Sequence, residues 1–259
     1  MSQSYTLYTF AMSHYSEKIR WVLDHCELPY QEVCLTPMFH IRPALRMGGQ
    51  GKTHLPILKA NDRCVQDSRA ILQFLQQQHG QHALLNSLNQ QAVQQTCDRF
   101  DGIGRDVARY LYANSFGRSD AAIKDLWTAH ASRWQSMAIR AGYPLIRMGF
   151  QQKLGIHRTA GVARAAQRIH DTLGWLDQQL AQRPAGQLAL HGPQLSVADI
   201  TAAALLAPLA CPPEHPVYGT PEFSDAMAGA TANWQDRPGI QWVRTLYQQQ
   251  RGRILGGLV

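Results

Sequence analysis

Along the first part of the chain the spacing of apolar residues changes period once, and the change predicts a strand followed by a helix. Leu7 to Phe10 are β-prone and apolar or aromatic, whereas Ile19, Val22, Leu23 and Cys26 recur at i, i+3, i+4 and i+7, the stripe of a helix with one buried face. Ser13-His14-Tyr15-Ser16 is the tight turn between them. A second strand is predicted over Gln31 to Leu35, after the turn Leu28-Pro29-Tyr30, and a loop rich in Pro, Gly and basic residues over Thr36 to Lys52. His54 to Leu58 reads as a strand, but Pro56 in its middle removes a ladder donor. It is therefore an edge, or the Leu55-Pro56 bond is cis and the Leu55 N–H and C=O are left to pair with a peptide-like ligand. Cys64 to Gln66 pairs back on it across the turn Ala60 to Arg63, and Asp67-Ser68 opens a helix that turns Ile71, Leu72 and Leu75 inward.

The polar, Gln-rich segment from Gln76 to Asn89 reads as a linker. Beyond it the period is helical throughout, with helices predicted over Gln90 to Asn114, Ser119 to Gln151 with a kink at Pro144, Gly161 to Ala181, Val197 to Ala210 and Ile240 to Arg251. The pattern divides the chain into an α/β domain over 1–80 and an all-α domain over 90–259. The sharpest local signal is Leu195-Ser196-Val197-Ala198-Asp199-Ile200: Ser196 and Asp199 form a reciprocal capping box and Leu195 staples onto Ile200, which nucleates a buried helix. Asp199 is on this reading structural.

Composition removes several function classes. The five cysteines are odd in number, widely spaced and free of Cys-x-x-Cys, which indicates neither a disulfide framework nor a metal site and suits a reducing cytoplasm. The longest apolar run, Ile200 to Ala210, is too short to span a bilayer, so a soluble protein is expected. The net charge of +7 is concentrated between Leu126 and His170, a stretch without Asp or Glu that carries Arg133, Arg140, Arg147, Lys153, Arg158, Arg164 and Arg168. Arg133, Arg140 and Arg147 share a helix face near Trp127 and Trp134, a pattern that nucleic-acid binders use but that is more commonly a solvated face.

The chemistry points to the turn at Ser13. A strand running into a helix aims unpaired N–H groups and the positive end of the helix dipole at that residue, so an anion or thiolate is favoured beside its hydroxyl. Asp67 and Ser68 at the next helix start make a second such site. The bland reading of Ser13 is a helix cap and nothing more.

Taken in order, the Ser turn, the Leu55-Pro56 step, the Asp67-Ser68 pair with its Arg69-Ala70-Ile71-Leu72 continuation, and the capping box at Ser196 resemble the glutathione S-transferase superfamily over nearly the full length. The resemblance implies a thioredoxin-like first domain holding glutathione, an all-helical second domain holding an apolar electrophile, no metal, a cytoplasmic homodimer and a role in detoxification. Both cysteine positions of a thioredoxin-like pair are serine here. Residue by residue, it implies that Ser13 donates its hydroxyl to the glutathione sulfur, that Leu55 pairs its backbone with the cysteinyl unit beside cis Pro56, and that Asp67 and Ser68 hold the γ-glutamyl end. His40 and Lys52, with Arg42, are candidates for the glycyl carboxylate, and Tyr15 is a further hydroxyl near the cleft. His14 stands where the family often has proline, and Asp67 where it more often has Glu. Tyrosine-type members place their hydroxyl at a position matching Thr9, with Tyr8 on the other face, which favours Ser13 here. Conjugation, dehalogenation, isomerisation and peroxide reduction all remain open, as does a non-catalytic binding module. The basic segment is expected to border the cleft and draw in an anionic substrate or glutathione itself.

Overall fold

A computed structural model describes residues 4–48, 51–252 and 257–258. The chain begins with β1 (Tyr5–Thr9), α1 (His14–His25), β2 (Tyr30–Cys34), α2 (Ile41–Met47), β3 (Ile57–Ala60), β4 (Arg63–Gln66) and α3 (Ser68–His79). β1 and β2 are parallel, β3 runs antiparallel to both β1 and β4, and the sheet order is β4-β3-β1-β2-β5. The outermost strand, β5 (Gly257–Leu258), comes from the far C-terminus and adds parallel to β2, where sequence periodicity predicts no strand. Two residues are too few to show a period.

Three boundaries before α5 differ from the sequence reading. The basic loop after β2 contains the helix α2, which buries Ala44. The expected linker is largely helical: α3 runs on to His79, α4 (Ala83–Asn86) follows, and Leu84, Leu85 and Leu88 are buried among the polar residues that disguise them. Pro56 precedes β3 rather than interrupting it.

The C-terminal domain consists of α5 (Gln91–Ser115), α6 (Asp120–Thr128), α7 (Arg133–Leu154), α8 (Thr159–Ala181), α9 (Val197–Ala210), α10 (Pro221–Thr231) and α11 (Pro238–Gln250). The long helix expected across Ser119 to Gln151 is two, because Ser132 and Gln135 form a capping box that starts α7 afresh. Every residue of α9 is buried, as suits a helix apolar all round. Its start follows the sequence reading: the Asp199 carboxylate accepts the Ser196 N–H at 2.8 Å, the Ser196 hydroxyl at 2.6 Å and the Leu190 N–H at 2.7 Å.

The two domains meet along α1. Lys18, fully buried, donates to Asp101 on α5 at 2.7 Å. Glu17 accepts from Arg251 at 2.8 Å, and Arg251 reaches Asp24 at 2.8 Å. Burial alone would raise the Glu17 carboxyl, but Arg251 and Arg20 hold it below the ordinary carboxylate value. One face of α1 is thus tied by charge to the helical domain, which fixes the turn that precedes it.

Candidate functional site

Sheet register gathers the candidate residues at one end. β1 ends at Thr9, β3 starts at Ile57 opposite Tyr8, and β4 ends at Gln66 opposite Ile57. The turn carrying Ser13, the Leu55-Pro56 step and the Asp67-Ser68 pair therefore leave the sheet at the same edge. Leu55-Pro56 is cis, and neither backbone polar group of Leu55 is hydrogen-bonded among the described residues. The Asp67 N–H donates to the Pro56 carbonyl at 3.2 Å, joining these two parts of the site.

Ser13 is the N-cap of α1. Its hydroxyl oxygen accepts the Ser16 N–H at 3.2 Å, so an oxygen lone pair is engaged while the hydroxyl proton has no acceptor among the described residues. Capping and donation outward are compatible here, and the N–H on the oxygen polarises the O–H. Ser13 lines an interdomain cavity of about 210 Å³. The other hydroxyls on its wall are committed: Tyr112 donates to Met12 Sδ at 3.5 Å, Ser115 to the Leu111 carbonyl at 2.5 Å, and Tyr218 to the Met12 carbonyl. Apart from His14, the remaining lining is apolar, with Phe10, Trp127, Phe150, Phe223 and Met227 prominent, and it carries no Asp, Glu, Lys or Arg.

His14, next to Ser13, is buried and its Nε2 lies 3.0 Å from the Gly104 carbonyl, which fixes the proton on that nitrogen. Burial lowers its pKa to about 4. It therefore anchors the turn to α5 as a neutral group. The position that family members often fill with proline is here held by a cross-domain hydrogen bond instead.

Asp67 caps α3 with its carboxylate accepting the Arg69 N–H at 2.9 Å, and its backbone sits at φ 89°, in the left-handed half of the map that a non-glycine residue enters at a cost of about 1–3 kcal/mol. Its second oxygen lies 3.8 Å from His54 Nε2, a residue the sequence reading does not single out. Ser68 is buried beside it.

Three candidates change standing. His40 packs edge-on against Phe10 at 4.7 Å, and burial, with Lys153 adding to it, lowers its pKa to about 4, so near neutrality it offers no positive charge to a carboxylate. Lys52 is exposed, in a loop held by Gln66, which donates to the Lys52 carbonyl at 3.2 Å and the His54 carbonyl at 2.8 Å. Tyr15 donates to the Asp101 carbonyl at 2.9 Å and packs against Gly104, where any Cβ would collide with its ring, so its hydroxyl serves the domain contact and not the cleft. Thr9 is also accounted for: fully buried, it donates to Glu32 at 2.5 Å, and Glu32 is paired with Arg20. The sequence reading misses Tyr112, Trp127, Tyr218 and Met227, which meet only when α5, α6, α10 and the segment before α10 fold together.

The basic segment borders the cavity through Leu126, Trp127 and Phe150, but none of its Arg or Lys side chains lines it. Arg140 pairs with Asp125 at 2.5 Å, Arg147 with Asp120 at 2.8 Å and Arg168 with Asp106 at 2.6 Å, so three of its seven cations are matched by acids of the helical domain, while Lys153 is near enough to His40 to bear on that imidazole.

The chain's architecture is shared with solved transferases. A glutathione S-transferase from Methylobacillus flagellatus with glutathione bound is 15% identical, with TM-score 0.57 and 95% of each chain covered. One from Ceriporiopsis subvermispora in complex with glutathione is also 15% identical, with TM-score 0.58, covering 94% of this chain and 95% of the other. A maleyl pyruvate isomerase, described as a bacterial zeta-class glutathione S-transferase, is 17% identical with TM-score 0.52, covering 93% and 90%. No curated protein matches the sequence. The family models for the glutathione S-transferase N-terminal domain and C-terminal domain match residues 7–83 and 159–236, together more than half of the chain. With the thioredoxin-like sheet, the cis proline edge and the helical second domain now in place, the chain belongs to the glutathione S-transferase superfamily.

Proposed function

We propose that the protein binds glutathione along the sheet edge formed by Leu55, Asp67 and Ser68, and that Ser13 stabilises its thiolate for attack on an uncharged, apolar electrophile in the interdomain cavity. The observation that carries this reading is the Ser13 hydroxyl: it stands at a helix N-terminus, on the wall of the cavity, with an unspent proton. A free thiol ionises near pH 8.5, and bringing it to about 6.5 takes roughly 2.7 kcal/mol. One charge-assisted hydrogen bond of about 1.5–3 kcal/mol plus the dipole of α1 is sufficient. The thiol proton leaves to solvent and the sulfur lone pair forms the new bond to carbon, while the carbon–halogen bond breaks and halide departs or, for an epoxide, the ring C–O bond opens and its oxygen takes a proton from solvent; Ser13 keeps its own proton throughout.

The lining favours conjugation of a neutral substrate over isomerisation of a carboxylated one. A substrate acid of the kind the similar isomerase's name denotes would bring negative charge into a cavity without a charged side chain. A non-catalytic binding module is the second reading, and it predicts glutathione binding without turnover.

Turnover of uncharged aryl halides and epoxides with glutathione separates these readings. Ser13→Ala is expected to lower kcat by about 10²–10³, as loss of one preorganised donor does. Stability should fall by about 1 kcal/mol from the lost cap. Loss of stability with unchanged turnover would leave Ser13 as a cap alone.

A further inference from the structure

Where α11 ends, one charged side chain turns back into the molecule. Arg251 caps that helix, yet its side chain is only 3% exposed. Its Nε donates to Glu17 Oε1 and its Nη1 to Asp24 Oδ2, both at 2.8 Å, and its guanidinium lies 5.7 Å from the Trp21 ring. Glu17, Trp21 and Asp24 stand at i, i+4 and i+7 of α1, so one planar fork spans two turns of a single stripe. Buried ion pairs are a costly way to hold a helix, since apolar side chains of equal volume often hold it as well. Packing alone does not account for Arg251.

Glu17 leads on towards Ser13. Its N–H donates to the Ser13 carbonyl at 2.9 Å, in the first turn of α1. Its Oε2 lies 3.7 Å from His215 Nε2, and neither atom has a hydrogen-bond partner among the described residues. Nδ1 of His215 accepts the N–H groups of Val217 and Tyr218, so the ring proton is on Nε2, the atom that faces Glu17. Polar pairs at this spacing are commonly joined through an ordered water. The His215 ring stacks on Tyr218 at 4.0 Å, and the Tyr218 hydroxyl donates to the Met12 carbonyl, part of the peptide that joins Met12 to Ser13. Contacts thus run from Arg251 to the peptide that carries Ser13, through side chains that are all buried.

We infer that Arg251 is a positioning residue for Ser13: from the end of the second domain it sets, through Glu17, His215 and Tyr218, the turn at Met12–Ser13 and with it the direction of the Ser13 hydroxyl. This role rests on the reading of Ser13 as the donor to the thiolate. A donor aimed in advance gives its full worth, because no reorganisation is left for the moment of reaction. Arg251 itself does not line the cavity, so its influence on the thiol is indirect.

The test follows two readouts in the full chain: the thiolate absorbance of bound glutathione against pH, and hydrogen exchange of the Ser16 amide, which donates to the Ser13 oxygen. Tyr218→Phe keeps the ring on His215 and removes only the bond to Met12, whereas Arg251→Met keeps a stem against Trp21 and removes the charge. Each is expected to raise the thiol midpoint by about 0.5–1 pH unit, the scale of one hydrogen bond, and to speed Ser16 exchange. Because both act along one path, the double variant should shift the midpoint by less than their sum. Arg251→Lys, a cation without the fork, should fall between wild type and Arg251→Met. Ser196→Ala, which weakens the start of α9 outside this series of contacts, should lower stability and move neither readout. Readouts unmoved in every folded Arg251 variant, a shift matched by Ser196→Ala, or full additivity would overturn the proposal. If Ser13→Ala leaves the midpoint in place, the thiolate reading fails on its own. Ser16 exchange then decides the positioning role: faster in Tyr218→Phe and in the Arg251 variants if it holds, unchanged if it does not.

Discussion

At the scale of single residues, Asp67 separates structure from function. Its φ of 89° suits glycine, and glycine at an N-cap costs only a few tenths of a kcal/mol. Asp67→Gly is therefore expected to keep stability within about 1 kcal/mol of wild type while removing the carboxylate proposed to hold the γ-glutamyl amine. The glutathione KM should rise with little change in kcat, since a contact remote from the sulfur is made equally in ground and transition states. An unchanged KM would reduce Asp67 to a cap. Ser68→Ala is expected to behave alike in kinetics. Ser13, Leu55-Pro56 and Asp67-Ser68 were all legible in the sequence because each is a local device: a hydroxyl before an apolar period, a proline against a strand pattern, an acid-serine pair opening a helix. His40 and Tyr15 were less legible for one reason. Residue type states what a side chain can do in water, whereas Phe10 over His40 and Asp101 beneath Tyr15 decide what each does in the fold.

Among the elements, α9 is the column on which both domains lean, and its start is its most exposed weakness. The Asp199 carboxylate satisfies two backbone N–H groups and one hydroxyl in a buried setting. Asp199→Ala leaves those donors without partners, and a loss of about 2–4 kcal/mol is expected from urea unfolding, with Ser196→Ala costing about 1 kcal/mol. A loss below 0.5 kcal/mol for the first, roughly the size of an ordinary surface change, would show that the box does not hold α9. This helix was legible in full because cap, staple and apolar run agree. The break between α6 and α7 was not, although Ser132 and Gln135 are plain in the sequence, because the apolar period runs across them. α2, α4, α10 and β5 were missed as short elements held by tertiary contacts rather than by their own period. That Trp134, Met137, Leu145 and Met148 of α7 stand exposed could not be recognised from periodicity either, since an apolar stripe reads as buried until the packing shows which face is turned to the core.

For the molecule as a whole, the domain contact along α1 makes stability depend on neutral imidazoles. His14 donates to Gly104 from the helical domain, and His215, in the segment before α10, accepts the N–H groups of Val217 and Tyr218 on Nδ1, both at 3.0 Å. A second proton on His215 would break both bonds. Burial holds each pKa at about 4, although Glu17, 3.7 Å from His215 Nε2, works the other way; Arg20 and Arg251 already balance that carboxylate. Because the folded values lie below the ordinary one near 6.5, the stability they contribute is complete above pH 6.5 and is lost as pH falls towards 4. Unfolding free energy should drop across that window by about 1–3 kcal/mol for each histidine, and His14→Gln should make the drop shallower. A flat profile between pH 6.5 and 4 would show that neither imidazole must charge on unfolding. His215 also stacks on Tyr218 at 4.0 Å, and Tyr218 holds the Met12 carbonyl just before Ser13, so the same contact steadies the turn at the site. This turn is proposed to lower the pKa of the glutathione thiol, which the ultraviolet thiolate absorbance of bound glutathione followed against pH reads out. Wild type is expected to titrate about two pH units below the free thiol's value near 8.5, and Ser13→Ala with glutathione still bound should move most of the way back. A bound thiol that titrates as in water, or a midpoint that Ser13→Ala leaves in place, would contradict the account.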